Sequence, residues 1–203
     1  MRYQPGHRQQ TRKRIVEAAA RRFREEGYRG SGVDHVMEDA GLTPGGFYAH
    51  FPSKRALLAE TLGRSLEQVR TQLLAGLEGV EGGDWLRAVV GRYLSRSHRD
   101  NPGLGCSLPA LGGEIAREGR IPRAALQDYL QQIVGELAPR TPPAPGLEAE
   151  DRVLATIALL AGALMLSRAV PDEGLSDRIL RAARRLAVPE TAEAARTRPR
   201  RRP

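Results

Sequence analysis

The sequence has one cysteine and only two lysines among its 203 residues. A single thiol, Cys106, excludes an intrachain disulfide framework and any metal site built from several thiolates. The longest apolar run, 153–166, is shorter than the ~20 residues that cross a bilayer. The polar, arginine-rich N-terminus has no apolar segment of the kind that begins a secretory signal. These absences predict a soluble, cytoplasmic protein.

The positive charge comes almost entirely from arginine and is unevenly placed. Lys and Arg total 32 against 24 Asp and Glu, which gives a formal net charge of +8. Five arginines within 196–202 have no acid among them, so residues 1–195 carry only +3. Residues 190–203 lack apolar periodicity and are predicted to form a disordered basic tail. That tail either holds DNA phosphates without sequence preference or is simply a solvated charge run.

Apolar residues recur at helical spacing through most of the chain, and no strand pattern or internal repeat is present. The predicted fold class is therefore all-α, with about nine helices. The first amphipathic helix covers about 11–26, and a long helix follows Ser53. Residues 153–166 are apolar nearly all round, which predicts burial against both the core and a second subunit. The last predicted helix, 175–188, has Ser176 as its expected N-cap.

Residues 33–51 carry the most specific pattern in the chain. Two short helices are predicted on either side of a tight turn that contains Gly41, and this arrangement is a helix-turn-helix. Thr43 offers an N-cap hydroxyl and Pro44 a preset first residue for the second helix, 44–50. In such motifs the second helix enters the DNA major groove.

The sides of the second helix are predicted to have different roles. Phe47 and Phe51 lie four residues apart, so both are expected to pack inward. Adjacent Gly45 and Gly46 each cost a helix roughly 1 kcal/mol relative to alanine. Either the backbone approaches a ligand surface there, or the segment is only a loosely wound turn.

The flanks of the motif offer candidate phosphate contacts. Lys54 follows the Ser53 cap, and a helix N-terminus with a nearby cation suits a phosphate. The alternative for Lys54 is an ordinary solvated charge. Ser31 and Gly32 precede the helix at Val33 and form a second candidate clamp.

Two stretches are the most informative, residues 11–28 (TRKRIVEAAARRFREEGY) and residues 36–58 (VMEDAGLTPGGFYAHFPSKRALL). The first resembles the first helix of the DNA-binding domain of TetR-family transcriptional regulators, and the second resembles the remainder of that domain. The resemblance implies a three-helix DNA-binding domain over 1–60 and a helical effector-binding and dimerisation domain over 61–189. It also implies a homodimer through 149–169 and 175–188, a near-palindromic operator, and release by a small molecule.

The resemblance also assigns roles to individual positions. Phosphate contacts fall on Tyr48, His50 and Lys54. The base-reading positions are Thr43, Pro44, Gly45, Gly46 and Ala49. Two positions depart from the family pattern. Gly32 lacks the hydroxyl that often caps the second helix. Asp34 occupies a position that is basic in some members, and its charge would repel DNA if it were exposed nearby. Small side chains at the base-reading positions favour methyl contacts, backbone contacts and DNA shape over bidentate readout.

Polar-tipped rings and the thiol of the C-terminal region are candidates for an effector pocket. They are Trp85, Tyr93, His98, Cys106 and Tyr129. The alternative for each of the four rings is a simple core or interface position. Cys106 is either a redox or electrophile sensor, if a helix N-terminus lowers its pKa, or a small buried side chain.

Two other classes compete with a regulator. An enzyme lacks support, because no nucleophile elbow, phosphate loop, dinucleotide fingerprint or zincin pair is present. We therefore expect no catalytic residues, no cofactor and no metal site. An architectural protein that binds DNA without an effector is the second alternative, and its binding would be nonspecific.

Overall fold

The computed structural model describes residues 5–142 and 144–188, and over these residues the fold is all-α, as predicted. It has nine α-helices: α1 (Pro5–Glu26), α2 (Val33–Asp39), α3 (Lys54–Leu74), α4 (Gly82–Tyr93), α5 (Arg96–Asp100), α6 (Leu108–Arg117), α7 (Arg120–Leu137), α8 (Ala149–Ala169) and α9 (Glu173–Ala187). Three short 3-10 helices connect them: Pro44–Ala49, Pro102–Leu104 and Ala138–Arg140. The predicted basic tail 190–203 lies outside the described residues.

The second helix of the predicted helix-turn-helix is a 3-10 helix, Pro44–Ala49, here called the recognition helix. It is followed by α3, which begins where the sequence predicts because the Ser53 hydroxyl accepts a hydrogen bond from the Ala56 amide at 3.1 Å. Helix α3 packs against both α1 and α7. One continuous hydrophobic core therefore joins the helix-turn-helix to the C-terminal helices.

The N-cap of α9 differs from the prediction. Asp172 caps this helix, and its Oδ1 accepts a hydrogen bond from the Leu175 amide at 2.6 Å. Ser176 lies inside the helix, where its buried hydroxyl donates to the Ser167 carbonyl at 2.6 Å. The prediction of Ser176 as the cap is wrong because an equally good capping residue stands four positions earlier.

Helix α8 is apolar on all sides but buried on only one. Leu160, Ala163 and Leu164 face the core, whereas Met165 and Leu166 are about half exposed. The length and composition of α8 would also suit a membrane span. Its inner face nevertheless packs against α6, α7 and α9 of the same chain. Together α8 and α9 form the outer layer of the C-terminal half.

Candidate nucleic-acid interface and ligand cavity

The helix-turn-helix is held by a small aromatic core. Phe47 and Phe51 are almost fully buried, and their rings stack with centroids 5.7 Å apart. Val36 and Met37 of α2 belong to the same buried cluster. As predicted from their spacing, the two phenyl rings fix the recognition helix against α1 and α2. Its opposite side is left facing outward.

The turn before the recognition helix is a Schellman motif. The Leu42 amide donates to the Met37 carbonyl at 2.9 Å, and the Gly41 amide donates to the Glu38 carbonyl at 2.8 Å. Gly41 has φ +67°, and a Cβ there would lie 2.7 Å from the Arg14 guanidinium. Glycine is therefore required at this position by the turn itself.

The recognition helix is wound more tightly than predicted. Its first turn closes when the Gly46 amide donates to the Thr43 carbonyl at 3.1 Å, an i to i+3 bond. The Thr43 hydroxyl makes no capping bond, so the prediction that it caps the helix is wrong. That side chain is instead exposed.

The outward side of the recognition helix presents most of the predicted contact residues. Thr43, Pro44, Gly45 and Ala49 are exposed, and Tyr48 retains 75% of its surface. Gly46 and His50 are also on the recognition segment and are half-buried. These positions form one continuous surface, and its side chains other than Tyr48 and His50 are small.

Gly45 has no structural reason to be glycine within the described chain. A Cβ built there meets no atom within 4 Å, and its φ is not positive. At Gly46 a Cβ would make only an ordinary contact, 3.6 Å from the terminal methyl of Met37. Contacts within the described chain therefore do not distinguish the two predicted explanations for Gly45, which are close approach of a ligand surface and a loosely wound turn.

Three arginines of α1 bind the carbonyl ends of the two short helices, a feature that sequence reasoning missed. Arg8 donates to the Ala49 carbonyl at 3.1 Å, Arg12 to the His50 carbonyl and Arg14 to the Ala40 carbonyl. Helix C-termini carry free carbonyls and partial negative charge, so guanidinium groups stabilise them. The sequence shows basic residues at 8, 12 and 14, but it does not show which carbonyls they bind, because those contacts depend on the tertiary fold.

These arginines also affect His50. Its burial, together with the nearby positive charge of Arg8 and Arg12, holds the pKa of the imidazole below its usual range. Its Nδ1 is buried and has no hydrogen-bond partner among the described residues. These surroundings therefore favour the uncharged form of the His50 imidazole.

The predicted flanking contacts are mostly engaged inside the chain. Lys54 Nζ donates to the Tyr28 carbonyl at 2.5 Å and lies 4.3 Å from the centroid of the Tyr28 ring. Burial lowers its pKa. The Ser31 hydroxyl is fully buried and donates to the Gly27 carbonyl at 2.7 Å. In this clamp only Gly32 is exposed, and it supplies no side-chain cap.

Comparison with known proteins identifies this motif. Residues 15–61 match the family model described as bacterial regulatory proteins, tetR family. The chain carries a TetR-family DNA-binding domain. The resemblance predicted from residues 11–28 and 36–58 is therefore confirmed.

The curated relatives match this chain mainly over that domain. The transcriptional regulator LmrA of Bacillus subtilis is 32% identical over 69 residues, which are 34% of this chain and 37% of LmrA. Across the curated relatives, the aligned part is between 21% and 40% of the relative's own length.

Solved structures match over nearly the whole chain. A TetR transcriptional regulator from Chloroflexus aurantiacus is 27% identical, with a TM-score of 0.64 over 88% of this chain and 94% of that one. The reduced form of Escherichia coli NemR is 21% identical, with a TM-score of 0.71 over 88% and 95% of the two chains. The all-α architecture of the C-terminal half is thus that of TetR-family structures.

Behind the TetR-family domain lies a cavity of about 100 Å³ between α3, α4, α7 and α8. It is lined by four of the five predicted pocket residues: Trp85, Tyr93, Cys106 and Tyr129. Contrary to the prediction, His98 does not line it. The His98 ring lies beside Tyr93, where Nδ1 is 2.7 Å from the Tyr93 carbonyl and Nε2 accepts from the Cys106 amide at 2.9 Å. Its visible role is to hold the backbone behind the cavity.

Cys106 has the environment of a packing residue. The residue is 3% exposed, and its thiol and the Tyr93 hydroxyl are hydrogen-bonding partners. Helix α6 begins at Leu108, two residues after Cys106, and the Leu108 amide favours the thiolate, but only as a smaller effect. Burial is the largest effect and raises its pKa. The geometry favours packing over a reactive sensor.

Alanine substitutions at two glycines separate the needs of the fold from those of the DNA surface. We expect Gly41→Ala to lower the free energy of unfolding by about 1–2 kcal/mol, because Gly41, unlike Gly45, has a left-handed φ. Gly45→Ala should leave stability unchanged or raise it by up to about 1 kcal/mol. If DNA approaches the backbone at Gly45, Gly45→Ala should weaken operator binding about tenfold. Thermal unfolding and fluorescence anisotropy measure the two effects. Unchanged operator binding by Gly45→Ala would favour the loose-turn explanation.

Labelling with a thiol reagent tests the environment of Cys106. Because burial raises the thiol pKa and blocks access, we expect the native protein to react at least about a hundredfold more slowly than the urea-unfolded chain. The native rate should still be rising with pH above about 10, where an unperturbed thiol is almost fully ionised. Fast labelling of the native protein at pH 7 would instead support the sensor hypothesis.

Proposed function

We propose that this protein is a transcriptional repressor that binds a near-palindromic operator as a homodimer and is released by a small-molecule effector. The observation that carries the proposal is the TetR-family helix-turn-helix with an exposed surface of small residues around Tyr48. The matched relatives and fold are those of transcriptional regulators, not of enzymes. A cytoplasmic location follows from this function.

The proposed DNA contacts divide into two groups. Tyr48, His50 and Lys54 would bind phosphates, together with the backbone near Ser31 and Gly32. The base-reading surface would be Thr43, Pro44, Gly45, Gly46 and Ala49. Among the phosphate group, Tyr48 has the strongest support because its side chain is 75% exposed. Lys54 would have to leave the Tyr28 carbonyl or act through its charge alone.

The proposed dimer uses α8 and α9. Large apolar side chains remain exposed on both helices: Leu154, Met165 and Leu166 on α8, and Leu175 and Leu186 on α9. Such side chains on adjacent helices are typical of an interface between subunits. A four-helix interface would place the recognition helices of both subunits so that each reaches one operator half-site. The proposed domain division, 1–60 and 61–189, places this interface in the second domain.

Two contacts support a route from the cavity to the DNA-binding domain. Cys106 lines the cavity, and the preceding Gly103 carbonyl accepts a hydrogen bond from the buried Arg24 of α1 at 2.9 Å. On the same segment, the Glu114 carboxylate accepts from the Tyr28 and Arg29 amides at 2.7 and 3.0 Å. An effector that displaces residues 103–114 would therefore change the position of α1 in each subunit. The spacing of the two recognition helices would then no longer match successive major grooves.

The first experiment measures binding to DNA from upstream of the protein's own gene. At physiological salt, with scrambled duplex as competitor, we expect a specific complex with a Kd of about 10⁻⁸ M or tighter. Equal, weak and steeply salt-dependent binding to both duplexes would favour an operator elsewhere or an architectural protein. Sequence selectivity thus separates the two DNA-binding hypotheses.

Removing one hydroxyl tests the phosphate assignment. Tyr48→Phe should weaken binding about tenfold on every related operator, because a hydrogen bond to a charged oxygen is lost without any change in sequence readout. The slope of affinity against salt should stay constant, since no charge is removed. Tyr129→Phe, in the cavity, is the matched control and should leave DNA binding unchanged. A changed sequence preference for Tyr48→Phe would contradict the assignment.

A charge on the exposed face of α8 tests the dimer. Leu166→Glu should yield a monomer in sedimentation experiments, whereas the wild type should sediment at twice the 22.2 kDa chain mass. Burying a carboxylate in an apolar interface is strongly unfavourable. Leu104→Glu is the control, because Leu104 is 64% exposed and lies on a 3-10 helix outside α8 and α9. A dimer that tolerates Leu166→Glu would place the interface elsewhere.

A further inference from the structure

The wall of the cavity is almost entirely apolar, and the charge on it is paired. Among the described lining residues, only Arg70 is charged. Its guanidinium binds Glu67 through two nitrogens, the Nε contact at 2.8 Å, and also binds Glu136. Two carboxylates around one guanidinium leave this edge of the cavity with net negative charge. An anionic ligand would therefore lose its hydration without gaining a free cation.

The same geometry disfavours a cation beside the indole of Trp85. The Arg140 guanidinium lies 5.2 Å from the Trp85 ring centroid. It is held there by the Leu77 and Val80 carbonyls, at 2.9 and 3.2 Å. One face of the indole is thus already occupied by a positive charge. A neutral ligand is therefore the class that is compatible with both the Arg70 side and the Trp85 side of the cavity.

Trp85 supplies a donor without an acceptor. The residue is only 2% exposed and lines the cavity, yet its Nε1 has no hydrogen-bond partner among the described residues. Tyr93, the neighbouring polar ring, is already paired with Cys106. Tyr129 has a long contact of 3.5 Å to the Leu66 carbonyl. A buried N–H without a partner is uncommon and costly, and because this one belongs to a residue of the cavity wall, an acceptor that arrives with a ligand would satisfy it.

We propose that the effector is a small, uncharged, mainly apolar molecule with a hydrogen-bond acceptor, such as a carbonyl oxygen, that binds Trp85 Nε1. This inference rests on the proposed function for its regulatory consequence, but the ligand class depends on the cavity alone. A cavity of about 100 Å³ is comparable with cavities that accept a single aromatic ring. The proposed ligand is therefore of one-ring size.

Three single-ring probes test this ligand class. Acetophenone carries a carbonyl acceptor, ethylbenzene has a CH₂ group in its place, and benzoate is an anion of similar size. Trp85 is the only tryptophan in the chain, so the ¹⁵N-labelled full-length protein has one indole N–H signal. We expect acetophenone to bind at millimolar concentration and move that proton downfield. Ethylbenzene should shift the cavity methyl signals with little effect on the indole proton, and benzoate should shift neither.

A variant isolates the hydrogen bond. Trp85→Phe keeps an apolar ring but removes the donor, so the preference for acetophenone over ethylbenzene should fall about three- to tenfold. Tyr129→Phe removes the cavity hydroxyl that has only the long contact to Leu66, and loss of the preference in this variant instead of in Trp85→Phe would assign the acceptor to Tyr129 and overturn the proposal. Thermal unfolding of the probe-free variants checks that both remain folded. If Trp85→Phe is poorly folded, the downfield indole shift in the wild type alone decides the proposal.

Three results would overturn the ligand class. They are no binding of either neutral probe at 5 mM, benzoate binding as tightly as acetophenone, and acetophenone binding without a downfield indole shift. Release of operator DNA is measured separately by anisotropy with the same probes. Acetophenone binding to Trp85 without DNA release would support the ligand class and count against effector release. If the protein binds DNA specifically but binds none of the probes, the proposed regulatory function is supported and the proposed ligand class is refuted.

Discussion

The structure depends on α3, one 21-residue helix shared by the DNA-binding domain and the cavity. At 1.5 Å per residue it is about 30 Å long. Leu57 and Leu58, near its start, are fully buried in the core shared with the helix-turn-helix, while Leu66 and Val69 line the cavity. The boundary proposed near residue 60 therefore lies inside a continuous helix. The two halves cannot reorient there without bending a helix whose inner face is buried at both ends.

Arg24 adds a second constraint because its charge is buried without a carboxylate partner among the described residues. Its Nη1 donates to the Ser65 hydroxyl at 2.6 Å, and its other nitrogens donate to the Gly103 carbonyl. Ser107 donates to the same Ser65 hydroxyl at 2.6 Å. Desolvation lowers the pKa of Arg24. A buried guanidinium tolerates such surroundings only while each of these oxygens stays in place.

The sequence predicted the elements better than it predicted their contacts. The spacing of Phe47 and Phe51 gave the inner face of the recognition helix, and Ser53 gave the start of α3, because both signals are local. Ser176 was mistaken for a cap because Asp172, four positions earlier, offers the same chemistry. Contacts that depend on tertiary placement, such as those of Arg12 and Arg24, leave no periodic signal. The same holds for Lys54, which appears free in sequence but binds the Tyr28 carbonyl.

The two constraints together explain how a small ligand would act over a distance. The cavity is bounded by α3, which is buried near both of its ends, and by the segment around Cys106, whose amide donates a hydrogen bond to His98. If a bound ring displaced that segment, the Gly103 carbonyl would move with it. Its movement would leave Arg24 without its acceptor, a loss too large to persist in a buried site. Arg24 would have to follow or find another partner, and α1, which carries Arg8, Arg12 and Arg14 to the short helices, would move with it. In the proposed release by an effector, the burial of one arginine would thereby convert a local change of volume into a change in the position of the recognition helix.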